Sequence, residues 1–312
     1  VQGSRRSLEP AQPFSAAPPS AHSPAAATQR PRQDMGQAAA AGRAGPKVFA
    51  FVFPLASGHI NPSLPVARAL ARQGHAVHYL CREQMRGAIE GTGAAFPSDV
   101  EVERELYECR EPDVIGAMES LKAEHGIESD NMMMAWGKLA PIQTELKLPG
   151  VIRWLRALGA DAVMYCPMMN PEAAYAAEVL GVPSVALFTT AGPGSLEHAS
   201  LGMCSVFGMT LGELAEAVLA CRPHVEAIRR LREDFGVDFD ECFLAAFGRL
   251  GVLRHSRVTL VTTSEELRDP ASDELLEAYR RDGVRFEVVG PLLDEAGATR
   301  AAGHREKLAE GG

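Results

Sequence analysis

His59 is the residue in this chain best placed to do acid–base chemistry. It follows a short apolar run, Val48 to Phe53, that ends in Pro54, and it is preceded by the small, flexible stretch Ala56-Ser57-Gly58. Asn61-Pro62 comes next, an N-cap followed by a residue suited to a first helical turn. The histidine therefore lies between a strand and the helix after it. A helix N-terminus disfavours the protonated ring, so the imidazole is held neutral and can accept a proton. The competing reading is a histidine that only caps or packs a turn. The six cysteines (Cys81, Cys109, Cys166, Cys204, Cys221, Cys242) contain no C-x-x-C pair. That spacing argues against zinc and for reduced thiols in a cytoplasmic protein, and no metal site is expected.

The elements that must position His59 are legible around it. Val48 to Phe53 is a continuous aromatic and β-branched run, the pattern of a strand buried on both faces of a parallel sheet. Leu64, Val66, Ala67, Leu70 and Ala71 recur at helical spacing, and Gly74 is suited to end that helix. His75 to Leu80 reads as the next strand. This is one βαβ unit, and ligands bind at the C-terminal ends of strands in such units.

Gly58-His59-Ile60-Asn61-Pro62-Ser63-Leu64-Pro65, with Leu70 to Val77 behind it, resembles the opening of the UDP-dependent glycosyltransferases that act on small molecules. These include the macrolide, plant-metabolite and glucuronosyl enzymes. The resemblance implies an α/β fold: a Rossmann-like parallel sheet with helices on both faces, the N-terminal half of a GT-B fold. It also implies that His59 removes a proton from an acceptor hydroxyl. The donor substrate of the complete enzyme would be a UDP-sugar, with no cofactor bound by this chain.

Later segments extend the likeness. Gly93 to Pro97 resembles a short third strand, and Glu83 to Gly91 a short helix before it. Asp99 to Ile127 reads as a charged, irregular loop with helical turns. A Met-rich segment (Met132, Met133, Met134) precedes an amphipathic helix expected from Pro149 to Leu158. Ala160 to Met168 is a strand and its exit, Glu172 to Leu180 a helix closed by Gly181, and Val182 to Phe188 a further strand. Ala191 to Ser195 reads as a loop, and Leu211 to Leu231 as a helical region broken near Pro223. Arg257 to Thr263, followed by Ser264-Glu265-Glu266-Leu267, and Arg285 to Leu292, with Val289-Gly290-Pro291-Leu292, complete the domain.

At one position the chain departs from the family. The aspartate that orients the catalytic histidine is matched by Cys166. A neutral thiol is a weak hydrogen-bond partner, and losing a carboxylate in that role costs about 10- to 10⁴-fold in rate. Cys166 is therefore the histidine-partner position, unless an acid from near Asp113 or Asp130 takes its place; its plain reading is a buried thiol. Gly58, Asn61, Met168, Met169, Thr189 and Thr190 lie on strand exits and are the candidate acceptor-binding residues.

Residues 1–46 are rich in Ala, Pro, Ser, Gln and Arg, and are expected to be disordered. The resemblance implies that residues 47–293 form the acceptor-binding domain, with 294–312 a polar linker or tail. The donor-domain signature of the family is absent from the sequence. The net charge of −9 is spread without a basic stripe, which excludes nucleic acid as a partner, and no apolar run is long enough for a transmembrane segment. The partner expected is a small, apolar, hydroxyl-bearing acceptor. The alternatives are one subunit of a split enzyme, completed by a separate donor-binding chain, and a non-catalytic small-molecule-binding module.

Overall fold

The computed structural model describes residues 45–97, 102, 114–129, 131–239 and 249–293. Expectations for the segments before residue 45 and after residue 293, and for Asp99, Asp113 and Asp130, lie outside the described residues. Among the described residues six strands form one sheet: β1 (Val48–Val52), β2 (Ala76–Leu80), β3 (Ala162–Tyr165), β4 (Ser184–Phe188), β5 (Val258–Val261) and β6 (Phe286–Val288). Their order is β2-β1-β3-β4-β5-β6, and every pairing is parallel. The expected α/β architecture is the one observed.

The β1 sequence explains its central place. Alternate side chains enter two cores on opposite faces of the sheet. Ala50 and Val52 join Val163, Tyr165 and Trp154 on one face; Phe51 and Phe53 join Ile60, Ala67 and Tyr79 on the other. The second face is covered by α1 (Ser57–Ile60), α2 (Ser63–Arg72) and α3 (Arg86–Glu90). The first carries α5 (Met132–Leu158), α6 (Pro171–Leu180), α9 (Arg222–Phe235) and α10 (Asp273–Arg281). Further helices are α4 (Val114–His125), α7 (Pro193–Val206) and α8 (Leu211–Leu219). Among the described residues no single helix is long and apolar enough to cross a membrane.

Four local expectations are corrected. Gly93 to Pro97 is not a strand; Ala95 alone bridges to β2, through Ala95 N–H to Val77 O and Tyr79 N–H to Ala95 O. Its neighbours explain this, since Gly93 takes a φ of +88° and Pro97 has no N–H to extend a ladder. The helix expected from Pro149 instead begins at Met132 and runs through Pro141 and Pro149. An interior proline costs about 3 kcal/mol. Burial of Leu139, Ile142, Leu148, Val151 and Leu155 offsets it, at about 1.5–3 kcal/mol for each side chain. Ala191 to Ser195 is only partly a loop, because α7 begins at Pro193. The helical turns expected in the charged stretch before Ile127 are present as α4.

The fourth correction concerns Asn61. It is not an N-cap: it sits in helical conformation as the C-cap of α1, and the next helix starts after Pro62. Gly74, by contrast, takes the left-handed conformation (φ +85°) that ends α2.

The strand order places the functional crevice. The chain leaves β1 toward β2 on one side and then returns to β3 on the other. The exits of β1 and β3 therefore diverge at a topological switch point, where parallel α/β sheets open a crevice for ligands.

Candidate functional site

His59 lies at that switch point, in α1, just after β1. Its backbone N–H donates to Ala56 O at 2.9 Å. Ser63 ties this turn to the sheet. Its hydroxyl donates to Ile60 O at 2.6 Å and accepts from the Tyr79 hydroxyl at 2.8 Å, with Ser63 and Tyr79 both fully buried. Burial pushes the Tyr79 phenol well above its ordinary range. A Ser63→Ala variant strands that phenol. It should lose about 1–3 kcal/mol of stability in urea unfolding, with part recovered by adding Tyr79→Phe.

Cys166 reaches His59 from the exit of β3. Its N–H donates to Val52 O at 3.2 Å and its carbonyl accepts from Asn170 N–H at 2.9 Å, so the residue is held between β1 and the turn into α6. Its Sγ lies 3.3 Å from His59 Nδ1. Thr189, just past β4, brings its Oγ1 within 3.2 Å of the same nitrogen. Among the described residues nothing engages Nε2, so that atom is left to meet a ligand.

The two partners of Nδ1 are electrically neutral. Burial pushes the Cys166 thiol up to about 12, against the opposing pull of Met169 and Met168 backbone N–H groups on Sγ and with the Glu172 charge adding to the rise. Burial also lowers the pKa of His59, so the imidazole is neutral at neutral pH. The site is a neutral imidazole held by a thiol and a hydroxyl, with no carboxylate on Nδ1 among the described residues. Such a ring can take a proton at Nε2, or give one there, according to which nitrogen already holds hydrogen.

Of the other candidates, Thr190 turns away: its hydroxyl donates to Gly192 O at 3.5 Å. Gly58 and Asn61 are exposed on the same turn as His59, and a Cβ at Gly58 would meet nothing within 4 Å. Met168 and Met169 pack partly buried beside Cys166 and line a cavity of about 10 Å³ beneath α5, together with Trp136, Thr144, Lys147 and Glu172. That space holds one water-sized group, far below the hundreds of Å³ a small-molecule ligand needs. An acceptor entering there would have to displace the methionines, which are flexible enough to move.

The loop after β4 is held from outside. A Cβ on Gly194 would fall 2.1 Å from Pro270 O, and Gly192, at φ +93°, presses on Arg268. Only glycine permits this approach, and it anchors the segment that presents Thr189.

Sequence reasoning missed two features. Thr189 reads as pocket lining, whereas it engages His59. The buried polar group of Thr144, Lys147, Asn170 and Glu172 was not foreseen. Its signal was Lys147, a charged residue within the apolar stripe of Leu148, Val151 and Leu155.

No family model matches this chain, and no curated protein matches it. Solved structures do. The glycosyltransferase of kitacinnamycin aligns with a TM-score of 0.50 and 19% identity, over 81% of this chain and 53% of that one. CalG4, the calicheamicin glycosyltransferase, aligns with a TM-score of 0.52 and 18% identity, over 80% of this chain and 53% of that one. Both are glycosyltransferases of GT-B type, and at these identities the likeness shows the fold. The chain spans about half the length of the solved structures it matches.

Proposed function

We infer that this chain is the acceptor-binding half of a sugar-nucleotide-dependent glycosyltransferase, with His59 as general base. One observation carries the reading. A neutral imidazole stands at the switch point of a GT-B-type sheet, tethered through Nδ1 and, among the described residues, unengaged at Nε2. In the reaction, Nε2 takes the proton of an acceptor hydroxyl. The hydroxyl oxygen bonds to the anomeric carbon of the sugar with inversion, the bond from that carbon to the nucleotide diphosphate breaks, and UDP leaves with the electron pair. The donor is a UDP-hexose, bound by residues outside this domain. The acceptor is a small apolar molecule bearing a hydroxyl. The described cysteines Cys81, Cys166, Cys204 and Cys221 are free thiols, which supports a reducing, cytoplasmic location.

A second reading, a binding module without turnover, is favoured by Cys166. A thiol held near pKa 12 stays neutral and cannot balance an imidazolium as a carboxylate would.

Calorimetry tests the assignment. Flavonoid and macrolide aglycones titrated into the protein should bind, and Gly58→Trp, which adds bulk to the turn that carries His59, should weaken them. UDP-glucose should give no heat with this chain alone. Micromolar binding of UDP-glucose, or no aglycone binding, would overturn it.

A further inference from the structure

We propose that Thr189 is the positioning residue for His59: its hydroxyl, rather than the Cys166 thiol, accepts the hydrogen of Nδ1 and so leaves Nε2 able to take a proton. The proposal rests on the reading of His59 as base, and it concerns which group selects the tautomer.

Two side chains converge on one nitrogen, Oγ1 at 3.2 Å and Sγ at 3.3 Å. Nδ1 has one position to offer, either a hydrogen or a lone pair. Sulfur is a weak hydrogen-bond acceptor, so it competes poorly for a hydrogen on Nδ1. What it has left is its own S–H. A thiol donating to Nδ1 would drive the ring hydrogen to Nε2, which is the form unable to act as a base. The threonine oxygen has two lone pairs and is the better acceptor of the pair, since sulfur accepts only weakly. With oxygen accepting, Nδ1 carries the hydrogen and Nε2 does not.

Thr189 is also well mounted for the task. It follows β4 directly; Phe188 is paired in register with Val261, and Thr262 N–H donates to Phe188 O at 3.1 Å. Its β-branch restricts χ1, so little freedom is lost in holding the ring. In this chain, the orienting task reaches His59 from the exit of β4 rather than from the exit of β3.

The experiment reads the tautomer itself and does not need turnover. Protein labelled with ¹⁵N-histidine is examined by long-range ¹H–¹⁵N correlation at a pH where His59 is neutral, and His59→Gln identifies its signals. The wild type should show hydrogen on Nδ1. Thr189→Val should move it to Nε2 or to a mixture, Thr189→Ser should restore Nδ1, and Cys166→Ala should leave it there. An unchanged tautomer in Thr189→Val, or a switched one in Cys166→Ala, overturns the proposal. If valine fails to fold at this site, Thr189→Ala gives the same reading. The two readings fail separately: a tautomer that responds as stated, with transfer unaffected by His59→Ala, would remove the base assignment and leave the positioning role in place.

Discussion

A His59→Ala variant is expected to lose about 10²- to 10⁴-fold in sugar-transfer rate, the usual contribution of a positioned general base. Its stability should move by no more than about 0.5 kcal/mol. The separation follows from the contacts. His59 is half-buried, and its side chain meets Cys166 and Thr189 through one nitrogen. The packing of the turn belongs to Ile60 and Ser63, which are fully buried. Paired measurements decide it: kcat/KM for sugar transfer, on the function proposed above, and the urea midpoint of the chain. A rate that survives the substitution would remove His59 from the chemistry. A collapse in stability would make it a structural residue.

The same histidine fixes a pH dependence. Burial lowers its folded pKa below the ordinary 6.5. Transfer should therefore persist into mildly acid solution and fall only as pH drops through that lowered value. Stability follows the same direction. Between the ordinary and the lowered pKa the unfolded chain binds more protons than the folded one, so stability falls as pH drops through this window. Above the ordinary pKa the contribution is constant. Comparing wild type with His59→Ala in unfolding across pH isolates it. Cys166→Asp, which places a carboxylate beside Nδ1, should raise the folded pKa and move the acid limb of the rate profile upward.

Local chemistry made much of this legible from the residues alone. The run Val48 to Phe53 could only be a strand buried on both faces, and Gly74 and Gly181 mark helix ends that the structure places within a residue. Cys166 as the histidine partner is an expectation of the family resemblance rather than of local chemistry, and its Sγ lies 3.3 Å from Nδ1. What escaped was decided by tertiary packing. Prolines 141 and 149 argue against a continuous helix, and only the burial of α5 between neighbours outweighs them. Asn61 has the chemistry of an N-cap, but its backbone is already helical and its carbonyl accepts from Leu64 N–H, so the turn continues through it. Thr189 and His59 are 130 residues apart, and no local pattern links them.

The buried pair Lys147–Glu172 carries the largest stability effect expected here. Lys147 on α5 and Glu172 in the first turn of α6 approach at 4.0 Å, with side-chain exposures of 8% and 2%. Asn170 Nδ2–H donates to the carboxylate at 2.9 Å, and the α6 N-terminus also favours the negative charge there. Lys147→Met keeps the volume but leaves a buried carboxylate without its ammonium. Glu172→Gln does the reverse. Each should cost about 3–5 kcal/mol, because a lone charge in that interior cannot recover its hydration. The double variant removes both charges and should cost far less than the two single losses combined. Urea unfolding of the four proteins closes the cycle. Single losses under about 1 kcal/mol would mean that water reaches the pair. The consequence extends to the site, since Glu172 adds to the rise in the Cys166 pKa. Neutralising it should therefore lower that pKa slightly, while burial, the larger cause, keeps the sulfur beside His59 protonated.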